Sequence, residues 1–449
     1  MPHTPEYTEY QRMEITNEGY KDENWHVGHE FKIDNKKTYL GKVTRMVRGR
    51  DGVKGDNPSG LDALLVKDPK TKTIRVIYQG SRGNMLLSKD WAKNDWPMAG
   101  RIMGSSPSPP PVPDRPCPPL LNILTRPSMP DLRPPWVTGQ LKDASRLLKK
   151  TLKDNPGYSV EVYGHSLGSM DGQYAVSSLD EAEAKRIKGA WLYEGPNIYP
   201  ALNEGQKKRA RSYGSRVKNY VDSQDLVPIG YGDDKQAVGQ VRYVESTDAG
   251  GSNPMDHIGK QHSWGGYQWA SDGSLALTEQ TIDTLQQDRQ TALASLRSQW
   301  EKDGGALSAG QKIYLDYQQA MSLLTALRQE LARTEITIKA AKDSCVQTAN
   351  AVWTKGMHDI YESLIYLSLS MSGLVDIATQ EGHSKQRFAD QATASVDAYR
   401  DRVKKAHESL DELTRTTSAA LKTLLDKDAH LATRFRQWDT QLNHQETNL

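Results

Sequence analysis

The first 270 residues and the rest of the chain differ in how apolar and polar positions alternate. Up to about residue 270, short apolar runs are separated by Gly, Asp and Pro, which is typical of strands joined by turns. The runs that predict strands are 38–47, 61–68, 73–80, 159–163, 189–195 and 216–223. Residues 137–154 instead carry apolar side chains at helical spacing, namely Leu141, Ala144, Leu148 and Leu152. Strands that alternate with helices predict a mostly parallel sheet covered by helices.

From about residue 278 onward, apolar positions recur at helical spacing, and no proline follows Pro254. Two helical faces are carried by Ile282, Leu285, Leu293, Leu296 and Trp300, and by Ile313, Tyr317, Ala320, Leu324, Leu327 and Leu331. A third helix is predicted over 346–380 and a fourth over 384–443, with breaks at 303–305, 355–356 and 381–382. This pattern predicts an antiparallel bundle or an elongated helical hairpin, in which partner helices complete the packing. We therefore expect an α/β domain over 1–275 and a helical domain over 276–449.

A proline-rich insertion interrupts the first domain at 104–136. Twelve prolines fall between Pro107 and Pro135, which excludes regular helix and favours an extended polyproline conformation. A surface loop is one interpretation of this segment. A lid or a wall for an acyl chain is the other, because the segment contains an apolar cluster made of Leu120, Leu121, Ile123 and Leu124.

Composition excludes several classes of protein. The 449 residues carry a net charge of +2, and acidic and basic residues are interleaved along the chain. This charge distribution does not favour nucleic acid as a partner. Cys117 and Cys345 are too few for a disulfide framework or a multi-cysteine zinc site. The N-terminal segment is polar and acidic and does not resemble a secretory signal peptide. The longest apolar stretch, 360–378, contains two acidic residues and makes a poor membrane span.

The most informative motif is Gly164-His165-Ser166-Leu167-Gly168. A short apolar run precedes it and a small-residue helical pattern follows it, which is the strand–turn–helix context of a nucleophile elbow. The turn is so sharp that both neighbouring positions need a side chain of almost no volume, hence the two glycines. Ser166 is therefore the candidate nucleophile.

A serine nucleophile needs an imidazole that accepts its proton and a buried carboxylate that holds the imidazole. In hydrolases with this elbow, the acid follows the serine in the chain and the histidine comes last. Asp222 and Asp225 directly follow a predicted strand, and His257 and His262 come later. Both acids and both histidines satisfy the order, so the order alone does not choose among them.

Four separated motifs between residues 60 and 270 resemble the class 3, or fungal-type, lipase family. They are Tyr78-Gln79-Gly80-Ser81, the elbow, Asp225-Leu226-Val227-Pro228 and a late histidine. The resemblance implies an α/β-hydrolase fold, a lipid ester as substrate and neither a metal nor an organic cofactor. It also implies Ser166 as nucleophile, Asp225 as acid and His262 as base, with Ser81 and the Leu167 N–H forming the oxyanion hole.

Alternatives stay open beside these assignments. Asp222 is the second choice of acid and His257 the second choice of base, whereas His165 is expected to support the turn. Glu194, in the segment Glu194-Gly195-Pro196, is interpreted as structural because this segment resembles a Gly-x-Pro segment of the family.

The sequence departs from fungal lipases in the residues 169–174 after the elbow and in the proline-rich segment, which replaces their short amphipathic lid. An elbow that continues with Asp171 and Gln173, joined to a helical C-terminal region, resembles lipase effectors of bacterial type VII secretion. Their helical region is similar to a reversed LXG domain. This resemblance implies secretion without a cleavable signal peptide, small helical targeting or chaperone proteins bound at 276–449, and an immunity protein as a further partner. A W-x-G motif is absent, since Trp353 is followed by Thr-Lys-Gly.

A basic run at 206–216 has two interpretations, a solvated helix face or a patch that contacts an anionic membrane surface. Two rival functions are also kept for the chain as a whole. One is a cytoplasmic esterase whose helical domain forms oligomers. The other is a non-catalytic scaffold built on a retired hydrolase fold.

Overall fold

The computed structural model describes residues 7–49, 59–80, 137–233, 235–364 and 369–446. Ser81 and the proline-rich insertion at 104–136 lie outside these ranges. Among the described residues, no helix is both long enough and apolar enough to cross a membrane.

Eight strands form one sheet in which neighbours in the chain are neighbours in space. Their bounds are Glu30–Ile33 (β1), Thr38–Val47 (β2), Ala63–Asp68 (β3), Thr73–Tyr78 (β4), Ser159–His165 (β5), Ile187–Tyr193 (β6), Val217–Val221 (β7) and Gln240–Tyr243 (β8). The strands from β1 to β4 pair antiparallel, and those from β4 to β8 pair parallel. The six runs predicted as strands all contain strands, and β1 and β8 were not predicted.

Within the described part of the chain, six α-helices accompany the sheet. They span Glu9–Glu18 (α1), Gly139–Asp154 (α2), Leu167–Ser177 (α3), Glu181–Ala184 (α4), Glu204–Arg211 (α5) and Pro254–Lys260 (α6). The buried faces of α2, α3 and α5 pack on one face of the sheet. The side chains on that face of the sheet are apolar and fully buried, for example Val76, Val162 and Leu192. Strands that run parallel and are covered in this way read as nearly continuous apolar runs, which is why the sequence revealed them.

The opposite face of the sheet carries charged and aromatic side chains and meets α1. Arg75 of β4 and Glu161 of β5 are both fully buried and form an ion pair of 3.1 Å between Nε and Oε2. Arg12 of α1 donates from Nη1 to the Tyr163 hydroxyl at 3.0 Å and stacks 3.5 Å above the Trp191 ring centroid. Because α1 buries charged side chains, it has no clear apolar stripe, and the sequence pattern did not predict it.

Five α-helices make up the C-terminal region as far as it is described, up to residue 446. They span Glu279–Gly304 (α7), Ala309–Ser363 (α8), Met371–Gln380 (α9), Lys385–Lys427 (α10) and Ala429–Glu446 (α11). The predicted breaks at 303–305 and 381–382 are confirmed, and the one at 355–356 is wrong because α8 runs through it. The predicted helix over 384–443 is likewise divided, since α10 ends at Lys427 and α11 begins at Ala429.

The chain groups into two compact units that do not follow chain order. The first contains residues up to Gln268, Leu277–Gln319 and the segment from Asp428 onward, and the second contains Trp269–Ala276 and Ala320–Lys427. The first unit thus combines the sheet with α7, the start of α8 and α11. The boundary at 275–276 expected from the sequence stays a prediction.

Candidate active site

Ser166 lies at the turn between β5 and α3, at the carboxyl end of the parallel strands. Its backbone has φ 59° and ψ −129°, a region that non-glycine residues rarely adopt. The Ser166 N–H donates to the Tyr193 carbonyl at 2.9 Å, which holds the strained turn against the end of β6. Such strain persists only where the surroundings enforce it, and it is concentrated at functional sites.

The glycines of the motif are required by close backbone contacts. A Cβ added at Gly164 would lie 2.3 Å from the Gly168 carbonyl oxygen, and one at Gly168 would lie 2.3 Å from the Tyr78 carbonyl oxygen. Real Cβ atoms do not approach backbone atoms this closely. Glycine is therefore required at position 164 for β5 to pass the start of α3, and at position 168 for α3 to pass the end of β4. The sequence-based expectation of almost no side-chain volume at these positions is confirmed.

Asp225 and His262 lie in direct contact. The distance from His262 Nδ1 to Asp225 Oδ2 is 2.6 Å, and both side chains are buried. Asp225 Oδ1 accepts the N–H of Val227 at 3.1 Å, which fixes the carboxylate in its loop. Since a carboxylate accepts, the Nδ1 of His262 carries the hydrogen and Nε2 keeps its lone pair. His262 Nε2 is buried and has no hydrogen-bond partner within the described residues.

Asp222 and His257, the second choices, make other contacts. Asp222 Oδ2 accepts from the Ser246 hydroxyl at 2.7 Å and from Gln261 Nε2 at 2.6 Å, so it links three segments of chain. Burial raises the pKa of Asp222 above its ordinary value. His257 lies on α6, partly exposed, with its Nδ1 3.2 Å from Asp248 Oδ1. The structure therefore brings Asp225, and not Asp222, to the imidazole of His262.

His165 makes two hydrogen bonds with different partners. Its Nε2 is 2.8 Å from the backbone carbonyl of His262, and its Nδ1 is 2.9 Å from the hydroxyl of Tyr20. Because a carbonyl only accepts, Nε2 carries the hydrogen and Nδ1 accepts from Tyr20. Burial lowers the pKa of His165 well below its ordinary value, which keeps this imidazole neutral. His165 thus connects the elbow to the segment that carries His262.

Tyr20 is a residue of the site that sequence reasoning missed. Its hydroxyl also accepts the N–H of Gly80 at 2.9 Å, so it joins the residue after β4 to His165. Gly80 itself lies against Ser166, since a Cβ added at Gly80 would be 2.9 Å from the Ser166 Cβ. No motif in the sequence marks Tyr20, because its contacts are made with residues at least 60 positions away.

Leu167 is the first residue of α3, and the N–H groups of the first helical turn have no acceptor within the helix. The partial positive charge of a helix N-terminus is concentrated on these groups. A developing negative charge beside Ser166 would therefore meet a favourable field. Ser81, the other predicted oxyanion residue, lies outside the described residues.

The site can support acyl transfer, because it holds a strained serine after β5, a buried carboxylate in the loop after β7 and a buried imidazole in the segment after α6. The five-stranded parallel part of the sheet, its flanking helices and the elbow define an α/β-hydrolase fold, which a helical C-terminal region follows. This is the fold class predicted from the sequence.

Comparisons with known proteins find fungal lipases among similar solved structures. MDLA from Penicillium cyclopium is 15% identical with a TM-score of 0.31, and the match covers 55% of this chain and 82% of that one. A triacylglycerol lipase from Penicillium expansum is 15% identical with a TM-score of 0.29, covering 54% and 82%. Lip2 from Yarrowia lipolytica is 11% identical with a TM-score of 0.27, covering 55% and 80%. No protein-family model matches the sequence, and no curated protein does.

Proposed function

We propose that this protein is a serine hydrolase that cleaves carboxylic esters of lipids. The observation that carries the proposal is Ser166, a non-glycine residue held at φ 59°, whose neighbour His165 hydrogen-bonds the carbonyl of His262, the partner of the buried Asp225 carboxylate. Ser166 combines this φ with ψ −129°, which lies outside the left-handed helical region, and such strain is concentrated at functional sites. The strain thus favours an enzyme over the scaffold alternative.

In the proposed reaction, Ser166 Oγ attacks the ester carbonyl carbon and His262 Nε2 takes its proton. Asp225 holds the imidazole through Nδ1 and stabilises the imidazolium that forms. The Leu167 N–H and Ser81 stabilise the negative oxygen of the tetrahedral intermediate. The alcohol leaves with the proton from His262, and water then releases the acyl group from Ser166 by the same steps.

The proposed substrate is a triacylglycerol or a phospholipid. This choice rests on the four lipase-like motifs, which lie on the described strands and loops except for Ser81. The first experiment measures fatty-acid release from a triacylglycerol and from phosphatidylcholine. The preferred substrate then distinguishes a lipase from a phospholipase.

Wild type is compared with Ser166→Ala, and with Ser177→Ala as a matched control. Ser177 is a buried serine on the same helix, and its hydroxyl donates to the Gln173 carbonyl at 2.8 Å. We expect Ser166→Ala to lose at least 10³-fold in kcat with the thermal transition nearly unchanged, and Ser177→Ala to stay active. No release by wild type and no labelling of Ser166 by a fluorophosphonate would contradict the proposal.

Asp225→Asn and Asp222→Asn then identify the acid. We expect a loss of about 10³- to 10⁴-fold for Asp225→Asn, because the amide cannot stabilise the imidazolium. Asp222→Asn removes a carboxylate that has no contact with the imidazole, so its effect on kcat should be much smaller. A larger loss for Asp222→Asn would reverse the assignment.

We also propose that the helical region binds small helical partner proteins and takes part in secretion by a type VII-like route. The support is a row of exposed apolar side chains on α10: Phe388, Tyr399, Leu413 and Leu424, 37–59% exposed. Their separations of 11, 14 and 11 residues are close to whole helical turns, so they share one face of α10. An immunity protein that blocks the active site belongs to the same proposal.

The partner proposal is tested by the oligomeric state of the purified protein, measured by light scattering with wild type and with Tyr399→Glu. A monomer in both cases leaves the apolar row available for a different chain. An oligomer that Tyr399→Glu dissociates would favour the rival function, an esterase that forms oligomers through its helices.

Contact with an anionic membrane surface through the basic run is a further proposal, and most of this run already binds protein groups. Four of its five cations donate to neighbouring atoms, and these are Lys207, Arg209, Arg211 and Arg216. Of these four, only Lys207 bonds a carboxylate in the described part of the chain, that of Glu204, whereas Arg209, Arg211 and Arg216 donate to neutral oxygens and keep their charge. Lys208 lacks such a bond among the described residues, so it is the side chain to substitute. Binding to phosphatidylglycerol vesicles, compared between wild type and Lys208→Gln, tests this contact.

A further inference from the structure

A second buried carboxylate lies beside the proposed catalytic residues. Glu194 follows β6, is fully buried and has φ 49°. This positive φ is unfavourable for a non-glycine residue, whereas glycine adopts it freely. Glycine at this position would carry no carboxylate. The contacts of the Glu194 carboxylate therefore show what a non-glycine residue contributes here.

Glu194 contacts two loops of the site. Its two carboxyl oxygens accept the backbone N–H of Asp222 at 3.1 and 3.0 Å, and the Tyr267 hydroxyl donates to its Oε1. The Asp222 carbonyl in turn accepts the N–H of Asp225 at 3.1 Å, within the acid loop, residues 222–228. Tyr267 ends the base segment, residues 261–267, and its N–H donates to the Trp264 carbonyl at 3.2 Å.

The pair formed by Asp225 and His262 depends on how these two loops are held. One hydrogen bond of 2.6 Å joins the two side chains, which are 37 positions apart in the chain. A small shift of either loop would lengthen that bond, and misplacement of a catalytic group by about 1 Å can cost 10²-fold in rate.

We propose that Glu194 is a positioning residue that sets the geometry of the Asp225–His262 pair by hydrogen-bonding the acid loop to the base segment. This inference rests on the proposed hydrolase function. Asp222 forms a parallel connection, because its side chain accepts from Gln261, the residue before His262. The two connections together fix both ends of the base segment to the acid loop.

Hydrogen bonding, and not charge, is the contribution we assign to Glu194. Burial and the nearby charge of Asp225 raise the pKa of Glu194 well above its ordinary value, which favours the neutral acid. The neutral acid keeps an acceptor oxygen for the Asp222 N–H. An amide of the same shape keeps one too, so glutamine should replace Glu194 with little loss.

The test compares Glu194→Ala, Glu194→Gln and Tyr267→Phe in the full-length protein, with p-nitrophenyl butyrate as substrate. We expect Glu194→Ala to lower kcat about 10- to 100-fold with KM changed by less than about 2-fold, because the ester does not touch Glu194. Glu194→Gln should recover kcat to within about 3-fold of wild type. Tyr267→Phe should lose less than Glu194→Ala, and adding it to Glu194→Ala should change little further, since both remove one connection.

Asp171→Asn is the matched control. Asp171 is equally buried and accepts from Gln140 Nε2 at 2.8 Å, and within the described residues its other carboxyl oxygen has no hydrogen-bond partner, so neither oxygen is bonded to the acid loop or the base segment. It should leave kcat within about 2-fold of wild type. An equal loss of kcat in Asp171→Asn would show that any buried carboxylate has this effect and would overturn the inference.

A second readout is independent of turnover. The Nδ1–H of His262, bonded to Asp225, should give a low-field proton resonance in NMR spectra, which Asp225→Asn identifies by removing it. We expect Glu194→Ala to shift or remove this resonance and Glu194→Gln to keep it.

Wild-type kcat and an unchanged resonance in Glu194→Ala would overturn the positioning role. A loss in Glu194→Gln as large as in Glu194→Ala would overturn it too, because charge would then be what matters. If wild type neither hydrolyses the ester nor reacts with a fluorophosphonate, the proposed function fails. The resonance still tests the positioning of His262 in that case.

Discussion

Single residues at this site tolerate little change, because backbone segments pass one another in contact. The elbow rests on β4 through Gly168, and β4 continues through Gly80 past Ser166. His165 hydrogen-bonds the hydroxyl of Tyr20 and the carbonyl of His262, so it connects these segments to the segment that carries His262. Substitutions here therefore act on stability and on chemistry together.

Gly168→Ala should destabilise the fold strongly. The added Cβ would lie 2.3 Å from the Tyr78 carbonyl oxygen, so β4 and α3 must separate. We expect a loss of more than about 2 kcal/mol in the free energy of unfolding, measured by urea denaturation. Gly205→Ala on α5 is the control, since the nearest atom to its Cβ lies at 3.4 Å. Similar stability for both variants would contradict the proposed contact.

Asp171 should make stability depend on pH. Burial raises its pKa to about 8 in the folded protein, from an ordinary value of 3.8. The folded state therefore binds this proton more tightly than the unfolded state, and stability falls as pH rises from about 4 to 8.

Asp171→Asn removes this titration. We expect it to raise the free energy of unfolding by about 1–3 kcal/mol at pH 8, because an uncharged amide replaces a buried carboxyl group. The difference from wild type should shrink towards pH 4. Urea unfolding at pH 4, 6 and 8 measures it, and parallel curves for the two proteins would contradict the assignment.

At the scale of elements, glycine ends a helix only where the backbone uses its conformational freedom. Gly382 has φ 81° and separates α9 from α10, whereas Gly356 lies inside α8 without a positive φ. Gly in a helix interior costs only about 1 kcal/mol, which the neighbouring turns of a 55-residue helix outweigh. The sequence alone does not distinguish Gly356 from Gly382, so it predicted a helix break at each of them. Only the break at Gly382 is present.

Three of the C-terminal helices are joined by an aromatic cluster. Trp300 of α7, Tyr314 of α8 and Phe435 and Trp438 of α11 have ring centroids 5.0–6.0 Å apart. The apolar stripes in the sequences of α7 and α8 predicted these two helices. They did not show which third helix packs against them. The partner, α11, comes more than 100 residues later in the chain.

Trp438→Ala should loosen this cluster. Trp438 is 5% exposed, and removal of a buried indole costs about 3–5 kcal/mol. We expect a clear fall in Tm, measured by calorimetry. Tyr399→Ala on α10 should change Tm little, because Tyr399 is 59% exposed. Equal effects of the two substitutions would show that the cluster does not stabilise the fold.

At the scale of the whole molecule, helices from both ends of the C-terminal region belong to the same compact unit as the sheet. The start of α7 continues the hydrogen bonding of β8. Tyr243 donates its N–H to Thr281 Oγ1 at 3.2 Å, and its carbonyl accepts the N–H of Thr278 at 3.0 Å. Leu277 forms a bridge with Val244 beside them.

A protein that ends at residue 275 should therefore be less stable than the full chain. It would leave the polar backbone groups of Tyr243 without these partners and expose Val244, which is buried. We expect lower soluble yield and a lower Tm for this truncated protein, measured by light scattering and calorimetry. A Tm equal to that of the full chain would show that the α/β part is independent, as the change of pattern near residue 275 indicates.

The sequence by itself determined six of the eight described strands, the elbow, and the two carboxylates and two histidines that are candidates for the acid and the base. Local physics suffices for these features. A buried parallel strand needs a continuous apolar run, and a sharp turn beside a nucleophile needs glycine on both sides.

Only the tertiary structure decided which acid meets which histidine, and where the charged side chains of α1, Tyr20 and Glu194 lie. Asp222 and Asp225 are three positions apart and chemically alike, and a single hydrogen bond to His262 distinguishes them. Glu194 and Tyr20 act through partners 28 to 145 positions away. Contacts of that range depend on how the sheet and its loops close in space, and no pattern of neighbouring residues encodes them.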